Sequence, residues 1–258
     1  MMKTIKLILS LFLILGFQSV DAQISDKDLN YLLVRQDDVK PSQAAAYETS
    51  LLELKQFLGN NNVKHVNYMT QVQDNNFYSH VTPLIDLNDI EGGLKTFVIG
   101  DQKSAEFDVI WSYLNSAIES VKYYVVKYEP ELSYVTDGNV WLEEAPYRRW
   151  NYLYFEPGTE KEAEKLLLAY KNLYKNKGVK SGFRVFRAVI GLDQPVVMFT
   201  TWSKSPLDYQ MELQESIDLL GDEGTVLWLA MMDLVSATET IEGWYLPQYS
   251  FMPMAQKK

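Results

Sequence analysis

The sequence predicts an α+β fold made of two similar halves, each with the element order β-α-β-β-α-β. Three observations lead there. First, the chain repeats itself: placing Trp111 on Trp228 aligns Trp111–Tyr134 with Trp228–Phe251 without a gap. Tyr128 then meets Tyr245, Pro130 meets Pro247 and Ser133 meets Ser250. Upstream, Asn30-Tyr31-Leu32 returns as Asn151-Tyr152-Leu153, and Val63-Lys64 as Val179-Lys180. A common order at a near-constant offset marks a duplication. Second, hydrophobic periods of two and of 3.6 residues alternate in the same order in both copies. Third, 47% of the 258 residues are apolar and 22% charged, a globular balance that can bury a large core without a disulfide or metal.

The N-terminus reads as an address. Lys3 and Lys6 precede an apolar run, Leu7 to Phe17, and small residues stand at Val20 and Ala22. That run is too short to span a bilayer, which needs about 20 residues, and it fits a secretory signal over 1–22 cut after Ala22. With no cysteine to acylate, a lipoprotein anchor is excluded. The expectation is an exported protein, periplasmic or secreted, not held in a membrane after cleavage. Residues 23–140 and 141–258 form its two halves.

Each half then supplies its elements in turn. Residues 30–35 and 150–156 read as first strands. Helices follow near 43–58 and 160–176. Pro41 suits a first helical turn, and Thr159 with Glu162 makes a capping-box pattern. Ala163, Leu166, Leu167, Tyr170 and Tyr174 recur at helical spacing. Two hairpins come next, 65–72 with 77–84 around Asp74-Asn75, and 183–190 with 196–202 around Leu192-Asp193. Further helices are expected near 106–120, 209–219 and 225–237. Closing strands are expected near 123–128 and 241–246.

This order is the ferredoxin-like, split βαβ unit. One unit leaves a sheet face bare, so the second must cover it, sheet to sheet, as an eight-stranded barrel with helices outside. With its duplicated Tyr-x-Pro-x-x-Ser strand ends, Tyr128–Ser133 and Tyr245–Ser250, the chain resembles the dimeric α/β-barrel superfamily in a fused tandem form. The resemblance implies small monooxygenases, lactone isomerases, haem-binding members and NIPSNAP-type proteins as company. It narrows fold more than function.

Recognisable chemistry is sparse. The formal charge of −10 argues against nucleic acid, which demands a concentrated positive surface. Without cysteine there is no thiolate nucleophile, iron–sulfur cluster or cysteine-bound zinc. The segment Asp86–Gly93 imitates a calcium loop but places Ile90 and Phe97 where oxygen ligands belong. His65 and His80 fall roughly 10 Å or more apart along the predicted hairpin, too far to share a metal. His80, opposite Tyr68 or Met69 and without a histidine counterpart in the second copy, where Phe199 or a neighbour stands, is the one weak catalytic candidate, as a general base or a haem ligand.

Alternation assigns Leu32, Val34, Leu153 and Phe155 to the helix side. It leaves Tyr31, Leu33, Arg35, Tyr152, Tyr154 and Glu156 to line the barrel. Arg184 and Arg187 face oppositely, so at most one of them lines it, and Trp202 ends the neighbouring strand. Tyr31, Arg35, Tyr68, His80, Tyr152, Tyr154, Glu156, Arg184 and Trp202 therefore form the candidate ligand-binding set, able to orient a small planar or carboxylated molecule. Three functions stay open. The first is binding of a small apolar or aromatic ligand between the two halves, without a cofactor, by a monomer or homodimer. The second is cofactor-independent monooxygenase or isomerase activity, and the third an interaction module with a filled barrel.

Overall fold

The computed structural model describes residues 30–92, 105–136 and 144–253. The predicted signal segment, with Gly93 and Phe97 of the acidic loop, lies outside them. Six elements make up the first half: β1 (Tyr31–Val39), α1 (Ala44–Asn60), β2 (Met69–Gln73), β3 (Phe77–Leu84), α2 (Ala105–Ser116) and β4 (Ile118–Tyr128). The second half follows with β5 (Tyr147–Phe155), α3 (Glu160–Lys177), β6 (Arg184–Ile190), β7 (Val196–Ser203), α4 (Pro206–Met232) and β8 (Val235–Tyr245). The eight strands close into one antiparallel barrel in the order β1-β3-β2-β8-β5-β7-β6-β4.

Three apolar cores hold this arrangement. One lies between β1, β3, β4 and helices α1 and α2, built around Leu33, Tyr47, Leu51, Leu58 and Leu114. A second fills the barrel with Leu32, Val34, Val81, Val126, Tyr152 and Met198. The third packs α3 and α4 on the second sheet face through Leu153, Phe155, Leu167, Phe183 and Met231.

Strand register corrects the first-strand alignment. Tyr31 pairs with Lys127 as Tyr147 pairs with Trp244, and both strands end at a bulge, Val39 opposite Ile118 and Phe155 opposite Val235. Arg35 therefore corresponds to Asn151, and the likeness of Asn30-Tyr31-Leu32 to Asn151-Tyr152-Leu153 reflects shared strand composition. A shift by an odd number of residues turns every side chain over. Hence Leu32 and Val34 fill the barrel, while Tyr31, Leu33 and Arg35 face α1 and α2, the reverse of the expectation. In β5 the expected faces hold, with Leu153 and Phe155 toward the helices and Tyr152 inside. The Trp111–Trp228 alignment agrees with this register, and its ends form matching bridges, Tyr134 to Phe183 and Phe251 to Tyr68.

Smaller differences have local causes. The first hairpin turns through Asn76 in the left-handed region, φ 64°, so His80 pairs with Thr70 rather than Tyr68 or Met69. His65 stands before β2 and is exposed. The Thr159 hydroxyl donates to the Glu156 carbonyl at 2.7 Å instead of capping α3. The two helices expected after β7 form one long element, bent at Gly221, whose φ of 58° and ψ of −150° no helix contains. Asp86 caps a 3-10 turn, Leu87–Asp89, in place of a metal loop.

Gly243 marks where the halves join. There β8 lies so close to β2 that a Cβ would run into the Val72 carbonyl oxygen, which is backbone and cannot swing aside. Gly243→Ala should destabilise the protein by about 1–3 kcal/mol or more, read from urea unfolding. An unchanged midpoint would mean that the β2–β8 seam opens enough to admit a methyl group.

Candidate functional site

The predicted ligand set is divided between two layers. Arg35, Tyr68 and His80 sit beneath α1 and α2, with Tyr31 half-buried against the same core. Tyr152 is inside the barrel, paired with Tyr124, and burial pushes both hydroxyls up. Tyr154 is half-buried and donates to Glu239 at 3.3 Å, while Glu156 is exposed beyond the strand end. Arg184 and Trp202 meet at the barrel mouth, the guanidinium 4.5 Å over the indole.

Beneath α1 the chain buries a charged cluster. Arg35 Nε donates to Asp37 Oδ1 at 2.6 Å, and the Tyr47 hydroxyl donates to Asp37 Oδ2 at 2.7 Å. His80 Nε2 lies 2.8 Å from that hydroxyl, and its Nδ1 lies 3.0 Å from Thr70 Oγ1. Trp111 covers the Arg35 guanidinium at 5.1 Å. Burial, aided by Arg35 and opposed by Asp37, pushes the imidazole down to about 4 and keeps it neutral near pH 7. Only about 10 Å³ of space remains beside these groups, room for about one water molecule and no substrate. His80 faces the helices, with both ring nitrogens engaged, and not the barrel interior. Asp37 and Tyr47 escaped sequence reading; the available signal was Asp37 on the same strand face as Leu33 and Arg35.

The equivalent place in the second half is apolar and open. Register sets Asn151, Phe199 and Val185 where Arg35, His80 and Thr70 stand. Between the sheet and helices α3 and α4 lies a cavity of about 450 Å³. Tyr170, Tyr174, Phe183, Trp202, Tyr209 and Trp228 supply aromatic walls, and the bend at Gly221 borders it. Glu212 is its one charged lining residue among those described, and desolvation raises that carboxyl. Ser181 and Ser216 hydroxyls meet at 2.8 Å beside it, and Thr201 Oγ1 is buried with no hydrogen-bond partner among the described residues. Sequence reading had Tyr170 and Tyr174 as a packing face and Trp228 as a repeat anchor, with no sign that packing is incomplete above them.

Haem does not fit this donor set. Among the described residues its lining has no histidine, methionine or lysine for iron, and no cation to pair with propionates. Tyr170 and Tyr174 are bonded to each other, and burial pushes both away from the phenolate that would bind iron. Among the described residues no group of acidic and histidine side chains is arranged to hold a metal ion, and no helix is long and apolar enough to cross a membrane.

No protein-family model matches the chain, and no curated protein matches its sequence. Solved structures do match. An anthrone oxidase-like protein superposes with a TM-score of 0.57 at 12% identity, covering 86% of this chain and 94% of its own. A provisionally assigned monooxygenase from Fusobacterium nucleatum gives 0.55 at 9% identity, covering 84% and 93%. A chlorite dismutase variant from Candidatus Nitrospira defluvii gives 0.51 at 11%, covering 86% and 93%. At such identities the likeness speaks for architecture alone: the chain has an α+β fold with an antiparallel sheet, and its structural neighbours are of the dimeric α/β-barrel type.

Proposed function

We propose that the protein is exported and binds a small apolar or aromatic molecule in the cavity under α3 and α4. In this reading the chain is two fused ferredoxin-like halves, 23–140 and 141–258, acting as a monomer or homodimer. The observation that carries it is the contrast between halves. The same place is filled by a charged cluster in one half and left as about 450 Å³ of aromatic-lined space in the other. A size of that order, apolar walls and few polar groups are the usual form of a small-molecule site. Glu212, Thr201 and the Ser181–Ser216 pair give one polar end that would orient the ligand. The charged start, short apolar run and small residues before Gln23 support export.

Titration with 1-naphthol, followed by quenching of Trp202 and Trp228, tests the reading. Saturable binding is expected, with about 2.7 kcal/mol of added stability at 100 times the dissociation constant. Leu213→Trp, which fills the cavity, should weaken it by about tenfold or more, 1.4 kcal/mol, without unfolding the chain. Equal affinity in that variant would place binding elsewhere and end the reading. A second reading is oxygenation of such a ligand, favoured by the anthrone oxidase-like and monooxygenase proteins of the same fold. Ligand-dependent oxygen uptake separates the two.

A further inference from the structure

We propose that the ligand taken by the cavity under α3 and α4 is a cationic aromatic amine, its ammonium held at Glu212 and its rings against Tyr170, Tyr174 and Trp228. This rests on the binding reading above and names the class of ligand. Helical spacing sets the two ends. Tyr209, Glu212, Ser216 and Leu220 lie three or four residues apart on α4, so one face of the helix lines the cavity. Neighbours at that spacing have Cβ atoms about 5–6 Å apart, which sets Glu212 beside Tyr209. Beyond the bend at Gly221 the same helix brings Trp228 to the wall, where it meets Tyr170 at 6.1 Å, and Tyr170 meets Tyr174 at 5.0 Å. The cavity thus has a carboxylate toward one end of α4 and an aromatic cluster toward the other.

The sign of the ligand follows from the charges around Glu212. Asp208 and Glu215 stand one turn to either side of it, and α4 has six acidic residues and no lysine or arginine. Asp208 accepts from the Ser205 hydroxyl at 2.6 Å, and Glu215 lies 3.3 Å from the Lys180 ammonium. Glu212 is half-buried on the cavity wall, where desolvation and then Asp208 and Glu215 raise its carboxyl, with exposed Lys204 acting against them. An ammonium seated there gains the field of three carboxylates and offsets the burial of one. Two guanidiniums touch the wall from elsewhere. Arg149, over the Tyr209 ring at 5.2 Å, is paired with Glu242 at 3.3 Å. Arg184 stacks on Trp202 from the barrel mouth, with the indole between it and this cavity. The faces of Tyr170, Tyr174 and Trp228 are electron-rich, so the rings that cover an aryl group also favour positive charge. A carboxylate ligand would instead be repelled by Glu212, and a neutral one would bury that charge without a partner.

Calorimetry on the full chain near pH 7 compares ligands of one aryl shape and different charge: 1-naphthylmethylamine, 1-naphthalenemethanol and 1-naphthoate. The amine is expected to bind about tenfold or more tighter than the neutral alcohol, and the naphthoate most weakly. In Glu212→Gln, with its fold checked by circular dichroism, the ratio of amine to alcohol affinity should fall to near one. Added sodium chloride should narrow the same ratio in the wild type, a check that needs no variant. Equal affinities for amine and alcohol in the wild type, or a ratio unchanged in the folded variant, would overturn the proposal and leave the cavity as the site of an uncharged aromatic molecule. If the variant loses its fold, a wild-type ratio that salt leaves unchanged overturns it equally. Failure of all three ligands and of 1-naphthol to bind would overturn the binding reading as well.

Discussion

Replacing Asp37 with Ala is expected to cost about 3–5 kcal/mol, the usual loss when one partner of a buried ion pair is removed. The carboxylate is fully buried and accepts from Arg35 and from Tyr47 at once. Removing it strips a buried guanidinium of its 2.6 Å counterion and turns the Tyr47 hydroxyl back on His80 alone. Asp37→Asn keeps the shape and one acceptor but loses the charge, and should fall between wild type and Ala. Urea unfolding followed by circular dichroism measures both. A loss below about 1 kcal/mol for Asp37→Ala would show the cluster to be as weak as a surface pair. In the second half the corresponding Leu153 does without any of this.

Acidification should destabilise the protein through His80. Burial holds the folded imidazole at about 4, against an ordinary value near 6.5. Below pH 6.5 the unfolded chain takes up a proton at this position that the folded chain refuses. Stability from this group is therefore complete above about pH 6.5, declines as pH falls toward 4, and levels off below. The span corresponds to about 3 kcal/mol. Carboxylates add their own slope at the acid end, so wild type is compared with His80→Gln over the same range. The difference between the two curves should carry the decline between pH 6.5 and 4. Parallel curves would mean that the buried ring does not resist protonation.

Much of the fold could be read from the chain because the repeat is strongest where elements end. The Tyr-x-Pro-x-x-Ser segments at Tyr128 and Tyr245 close equivalent strands, and their bridges to β6 and β2 match across the molecule. The first strands had no such anchor. Leu32, Leu33 and Val34 are all apolar because both faces of β1 are buried, so alternation carried no information about which face is which. Giving Leu32 and Val34 the same side as Leu153 and Phe155 was therefore right for β5 and wrong for β1. The candidate site failed for a related reason. Tyr170, Tyr174 and Trp228 have the spacing of a packed helix face whether the space between them is full or empty, and emptiness belongs to the bend at Gly221 and to tertiary packing.

The ring of eight strands has a consequence for how the protein meets its own kind. Each described strand is bonded on both flanks, so no row of unsatisfied amides is offered to a passing chain. Both seams, β2 to β8 and β4 to β6, are drawn between segments of one polypeptide. Closure is then a unimolecular event. Its equilibrium does not depend on mass action, and dilution cannot open the ring as it would a barrel assembled from two separate chains.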